Sequence, residues 1–343
     1  MIIDGHTHML HSSYFNQLAD EGGKWTKQRI EWAMALAKRR PYITDIPLRL
    51  DQLDRNGIDL QVTTAQWTFD SNLLPADVNT QLAYARVLNN SMAQLTEDSK
   101  GRFISIGTVP LANFENGGRQ EMERAIKELG LKAIAVSSNI NGKPIDLPEF
   151  ESFWAQASEM DVAVYIHPAD AADGSIRSYE AGYDLMQNYG WPFETQLILT
   201  RLVFSGIMER YPTLKVVGHH LGGGIPFLLG RTLEHFNPFL YPELNGLSDQ
   251  EKHIGQVLPK PLFDYFARFY YDTACCAYAP AIKCTCEAFG VDQVIFSTDA
   301  PFGPGSGEWR MVVYPKVIES LGFSREDVDK IFANNIRKVL NLE

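Results

Sequence analysis

The sequence predicts a (β/α)8 barrel, and three observations carry that expectation. Eight short apolar or β-branched runs are spaced along the 343 residues, and amphipathic helical stretches separate most of them. Strand alternating with helix implies parallel strands joined by right-handed crossovers. No G-x-G-x-x-G follows a strand at the start of a helix, so an open dinucleotide-binding sheet lacks its usual support.

In order, the strands are expected at residues 2–6, 60–65, 103–109, 131–136, 162–167, 214–219, 269–274 and 294–299. After the first strand the alternation lapses. Residues 11–40 hold the Gly22-Gly23 break and an amphipathic run at 25–37, which reads as an insertion of about residues 9–50. A helix at 48–55 ends at Asn56-Gly57, the usual C-cap chemistry. Further helices are expected at 78–97, 118–129, 148–160, 195–210 and 280–289. Insertions at 169–192 after strand five, and at 236–261 after the helix following strand six, suit lids or subunit contacts. A last helix at 324–340 starts on Ser324, a good N-cap. With no repeat, low-complexity tract or linker in the sequence, residues 1–343 are expected to form one domain.

A composition of 45% hydrophobic residues supports a large core. The net charge of −11 and the absence of a Lys/Arg run argue against a nucleic-acid partner. No apolar run approaches the roughly 18 to 20 residues that span a bilayer, and Asp4, His6 and His8 interrupt a signal-peptide reading. A soluble, cytoplasmic protein is expected. Cys275, Cys276, Cys284 and Cys286 lack paired C-x2-C spacing, so reduced, mostly buried thiols are expected rather than a zinc cluster or disulfides.

In such a barrel the working groups stand at the C-terminal ends of the strands. Strand one ends in His6 and His8, which share a face of an extended strand. Alone, His-x-His could be two ordinary histidines. Strand five, however, ends in His167, strand six in His219-His220 and strand eight in Asp299, so five of the eight histidines meet at one rim. His6, His8, His167 and Asp299 make a nitrogen-rich set suited to Zn2+, with Mn2+ also compatible and a position left open for water or substrate. Asp299 can serve both as ligand and as proton carrier. Neighbours on a strand point opposite ways, so one of His219 and His220 should face substrate; His220, next to the Gly222-Gly223-Gly224 turn, is the candidate general acid/base. Arg231 is either a carboxylate clamp or a plain surface ion-pair partner. His11 could line the pocket or sit in a loop, and Trp67, Phe69, Trp191 and Phe302 could flank a flat ligand or belong to the core.

Taken together, Ile3-Asp4-Gly5-His6-Thr7-His8, Tyr165-Ile166-His167-Pro168, Gly218-His219-His220-Leu221-Gly222-Gly223-Gly224-Ile225-Pro226, Phe296-Ser297-Thr298-Asp299-Ala300-Pro301-Phe302 and the tail Ile331-Phe332-Ala333-Asn334-Asn335 resemble the amidohydrolase superfamily. More narrowly, they resemble its decarboxylase branch, of the 2-amino-3-carboxymuconate 6-semialdehyde and resorcylate types. The resemblance implies a metal-dependent barrel that removes CO2 from a small aromatic or unsaturated carboxylic acid without an organic cofactor. It implies His6, His8, His167 and Asp299 as ligands, His220 and Asp299 as catalytic groups, and Arg231 as a substrate-carboxylate arginine that in some relatives reaches a neighbouring subunit. A homodimer is implied as well. Some aromatic decarboxylases carry Glu at the position of His6, which brings this chain nearer the muconate-semialdehyde type. The same superfamily includes hydrolases of lactones or amides and hydratases, which form the alternative reading.

Overall fold

Strand β1 (Ile3–His8) is buried along its whole length, as expected of a parallel strand covered on both faces. In the computed structural model, which describes residues 1–20, 24–65, 77–169, 182–236, 258–275 and 278–343, it pairs in parallel with β2 (Leu60–Thr64). The order continues through β3 (Phe103–Ser105, resuming at Gly107–Thr108), β4 (Ala133–Ser137), β5 (Ala163–His167), β6 (Val216–Gly218), β7 (Tyr270–Asp272) and β8 (Val294–Ile295). Every pairing in this series is parallel.

Main-chain hydrogen bonds return from the last strand to the first. Gly5 N–H donates to Phe296 O at 2.8 Å, Asp299 N–H to His6 O at 3.0 Å and His8 N–H to Ala300 O at 2.7 Å. A Cβ on Gly5 would lie 2.4 Å from the Ile295 side chain, so glycine permits this close approach. The eight expected strands are all present, with corrected ends. Strand 103–109 is interrupted at Ile106, whose N–H turns to Thr63 O instead. Strand 294–299 keeps ladder pairing only at β8, because the residues after it bond to β1.

The insertion after β1 folds as helices α1 (Ser13–Asp20), α2 (Lys24–Arg39) and α3 (Ile46–Asn56). Asp45 caps α3 by accepting from Leu48 N–H, and Gly57 ends it in the left-handed conformation that a Cβ disfavours. Next come α4 (Val78–Asp98), α5 (Gly118–Lys127), α6 (Glu151–Glu159), α7 (Trp191–Phe204), α8 (Ile225–Phe236), α9 (Ala279–Phe289) and α10 (Glu308–Glu319). The helix expected at 195–210 is split: α7 stops before Gly206 at φ 78°, and a single turn follows at Ile207–Arg210. The helix expected at 324–340 is capped by Ser324 but passes through a π segment at Lys330–Asn334. Among the described residues no helix is long and apolar enough to cross a membrane.

Side-chain alternation divides the apolar residues into two layers. Ile134, Val136, Val164 and Ile166 face the helices in one cluster with Leu88, Trp154 and Leu199. Ala133, Ala135, Ala163, Tyr165 and Val217 face inward and pack with Ile336, Val339 and Leu340 of the last helical segment. That second layer fills the floor of the barrel, leaving the opposite rim to polar residues.

Candidate metal centre

Three strand ends converge at that rim. The ligand-type atoms of His6, His8 and His167 lie within 4.8 Å of one another, and all three residues are buried. Asp299 Oδ1 lies 3.0 Å from His8 Nε2 and 3.7 Å from His6 Nε2, so the fourth expected group joins the same cluster. His167 Nδ1 hydrogen-bonds to Pro168 O at 2.8 Å, which places its proton on Nδ1 and leaves Nε2 with a lone pair. Burial pushes the His6 and His167 imidazoles well below their ordinary range, with neighbouring histidines adding to it in each case. Neutral imidazoles are the form that binds a metal.

Asp299 is held from both sides. Burial alone would raise its carboxyl, but the His8 hydrogen bond and the positive charge of Arg310 hold it well below the usual carboxylate range. Arg310 Nη1 donates to Thr298 O at 2.9 Å and to Asp299 Oδ2 at 3.3 Å, while Cys275 Sγ donates to the same Oδ2 at 3.0 Å. A Cβ on Gly303 would come within 2.8 Å of the Arg310 guanidinium, so glycine leaves room for that side chain.

Four non-glycine residues of this rim have positive φ: His220 (57°), Leu221 (53°), Cys275 (57°) and Asp299 (63°). Such conformations cost of order 1 to 3 kcal/mol each and persist where surrounding structure enforces them. His219 lies against His6 with ring centroids 3.8 Å apart and the rings tilted by 35°, and its Nδ1 is bonded to Asp272. His220 lines a cavity of about 290 Å3 with Leu221, Pro226, Phe227 and Tyr278. The division of the pair expected from strand alternation is present, but its cause is the left-handed turn at His220 after β6 ends. Burial lowers the His220 pKa.

Donor chemistry fits a divalent cation. Three neutral imidazoles and a carboxylate are the donor types such an ion takes, and His6 Nδ1 is buried without a hydrogen-bond partner among the described residues, as buried polar atoms rarely are. Phe302 packs edge-on against His8 with centroids 5.2 Å apart and carries the Arg40 guanidinium 5.2 Å from its ring centre, so it belongs to this rim. Trp191 is half-buried at the start of α7, and Trp67 and Phe69 lie outside the described residues.

Two expected candidates are not brought in. His11 bonds to Ser13 Oγ at 2.7 Å and Asp98 Oδ2 at 3.0 Å, a loop role. Arg231 is exposed on α8, and no bond among the described residues ties it to the cluster. The expectation of mostly buried thiols needs correction, since Cys275 is exposed, Cys284 intermediate and Cys286 buried, and none of the three is in a disulfide; Cys276 lies outside the described residues. Sequence reasoning missed Asp272 and Arg310. Asp272 could have been found as the one charged residue of the run 269–274, whereas Arg310 lies on a helix and has no local signal.

Residues 3–342 match the family model described as "Amidohydrolase". The chain is 30% identical over 307 residues to 2-amino-3-carboxymuconate-6-semialdehyde decarboxylase of Dictyostelium discoideum, covering 87% of this chain and 77% of that protein. It is 26% identical over 305 residues to a gamma-resorcylate decarboxylase of Polaromonas sp., covering 86% of each. Among solved structures it resembles 5-carboxyvanillate decarboxylase of Novosphingobium aromaticivorans with bound manganese and 3-methoxy-4-hydroxy-5-nitrobenzoic acid. There the TM-score is 0.80 at 24% identity, covering 100% of this chain and 97% of the other.

Proposed function

The chain belongs to the amidohydrolase family, and on that premise we propose that it is a metal-dependent decarboxylase of a small aromatic or unsaturated carboxylic acid, needing no organic cofactor. One observation carries the assignment of tasks: four donor groups meet in one buried cluster, while His220 stands apart from them on a cavity with apolar walls. His220 is thus available as an acid/base group outside the ligand set, while Asp299 belongs to that set and can also carry a proton.

His6, His8, His167 and Asp299 would hold the ion. When bound, a divalent cation holds substrate oxygens and offsets developing negative charge. Zn2+ suits this nitrogen-rich set, and Mn2+ is compatible with it. Leu221, Pro226, Phe227 and Tyr278 orient the apolar body of the acid. His220, or Asp299 in its second role, delivers a proton to the carbon bearing the carboxylate. The carbon–carbon bond then breaks, its electron pair restores conjugation, and CO2 leaves. Protonation has to precede or accompany that cleavage because a free sp2 carbanion is too unstable.

Arg231 projects one helical turn beyond Phe227, itself 84% exposed, and Tyr189, Phe193 and Leu197 are exposed on or beside α7. This exposed apolar ground supports a homodimer in which Arg231 serves a carboxylate in the neighbouring copy. The deciding experiment is a product assay with metal restored, over hydroxybenzoates and carboxymuconate-type acids in 18O-labelled water. CO2 with an unlabelled organic product is expected. A new carboxylate carrying solvent oxygen would replace this assignment with hydrolysis of a lactone or amide.

A further inference from the structure

We propose that Asp272 is a positioning residue that gives the adjacent histidines His219 and His220 different tasks, an inference that rests on the decarboxylase reading above. Asp272 ends β7 and is wholly buried. Its Oδ1 accepts the main-chain N–H of His220 at 3.0 Å and of Ala274 at 3.1 Å, and its Oδ2 partners His219 Nδ1. A carboxylate with two N–H donors on one oxygen acts as an acceptor, so the His219 proton sits on Nδ1 and Nε2 keeps its lone pair. That Nε2 is buried, has no hydrogen-bond partner among the described residues, and belongs to a ring whose centre lies 3.8 Å from that of His6. A carboxylate on one ring nitrogen fixes the tautomer and ring orientation of a histidine in this way.

The other oxygen acts on the next residue. His220 holds a left-handed φ of 57° and lines the cavity beside Leu221 and Phe227. Its N–H is anchored from the neighbouring strand by Asp272. One side chain therefore sets the ring orientation of His219 and the backbone of His220. It thereby holds in place the left-handed turn that divides the two imidazoles. The alternative, a second cation at His6, His219 and Asp272, is weaker because three N–H donors already occupy the Asp272 oxygens.

The test is Asp272→Asn, which keeps the size of the side chain but turns an amide NH2 toward at least one N–H donor. We expect kcat and zinc affinity, the latter read by chelator competition, each to fall roughly 10- to 100-fold with KM little changed. Near-wild-type kcat and zinc affinity with only a lowered melting temperature would make Asp272 ordinary core and overturn the proposal. A second measurement needs neither the variant nor turnover: two-bond 1H–15N correlation on histidine-labelled wild-type protein. A His219 proton on Nδ1 supports the assignment, and one on Nε2 overturns it. Should the wild-type protein release no CO2 from any acid, the decarboxylase reading fails, and the tautomer and zinc affinity still decide the role of Asp272.

Discussion

Two polar layers lie one above the other on the same strands, β1 and the chain after β8, and they differ in what they do with their hydrogen bonds. In the lower layer Asp4 accepts from Thr298 N–H at 2.9 Å, Thr298 Oγ1 at 2.5 Å and Gln61 Nε2 at 3.0 Å, and Gln61 in turn accepts from Arg49 Nε at 2.8 Å. In the upper layer His6 and His219 keep ring nitrogens without a partner among the described residues, whereas in the lower layer Arg49 leaves donors, Nη1 and Nη2, unpartnered. The two aspartates move in opposite directions. Burial pushes Asp4 up to about 6 despite its hydrogen bonds, whereas His8 and Arg310 outweigh burial at Asp299 and hold it down. A buried polar group that bonds to its neighbours secures the fold; one that leaves lone pairs converging on a point is built to hold something. Both kinds occur here within one pair of neighbouring segments.

The comparison breaks most visibly at the upper layer. His6→Ala should lose bound metal and bring CO2 release to background, with a melting temperature near that of the metal-free wild type. Chelating the wild type should do the same reversibly, Zn2+ or Mn2+ restoring activity. Next in size is His220→Ala, expected to lower turnover by roughly 10^2- to 10^4-fold while about one metal per chain remains. Loss of the metal in that variant would put His220 among the ligands.

In the lower layer, Asp4→Ala leaves the Thr298 and Gln61 donors unpaired and should cost about 1 to 3 kcal/mol, read as a shifted denaturant midpoint. Metal affinity should change far less; an equal loss of both would show that the layers are not separate.

The smallest effect is expected outside the barrel, where Glu308 accepts from Arg55 and Asn56. The Arg55 hydrogen bonds, then that of Asn56, pull its carboxyl down to about 2. A depressed carboxyl contributes stability above its ordinary pKa and loses it as pH falls toward 2. The melting-temperature gap between wild type and Glu308→Gln should therefore be small at neutral pH, because solvent screens this pair, and should close in acid.

Much of this was legible in the linear chain. Strand–helix alternation identified the barrel, and inspecting the ends of the expected strands found His6, His8, His167, His220 and Asp299, because in this architecture rim position follows from strand position. Caps at Gly57 and Ser324 were equally readable, since they depend on residues only a few positions apart. Other features depended on residues far apart in sequence. Arg310 reaches Asp299 from a helix, Cys275 reaches it from beyond β7, and Asp272 ties β7 to the turn after β6. No spacing rule encodes such contacts.

The sequence by itself determined which residues would stand at the rim, because the period of a strand and the length of each β/α unit are local properties. Only the tertiary structure decided which of them face one another, how His219 and His220 divide their tasks, and that Asp4 and Asp299 take opposite pKa shifts. Those outcomes depend on burial and on charges brought together across hundreds of residues, which the chain acquires only when the barrel closes.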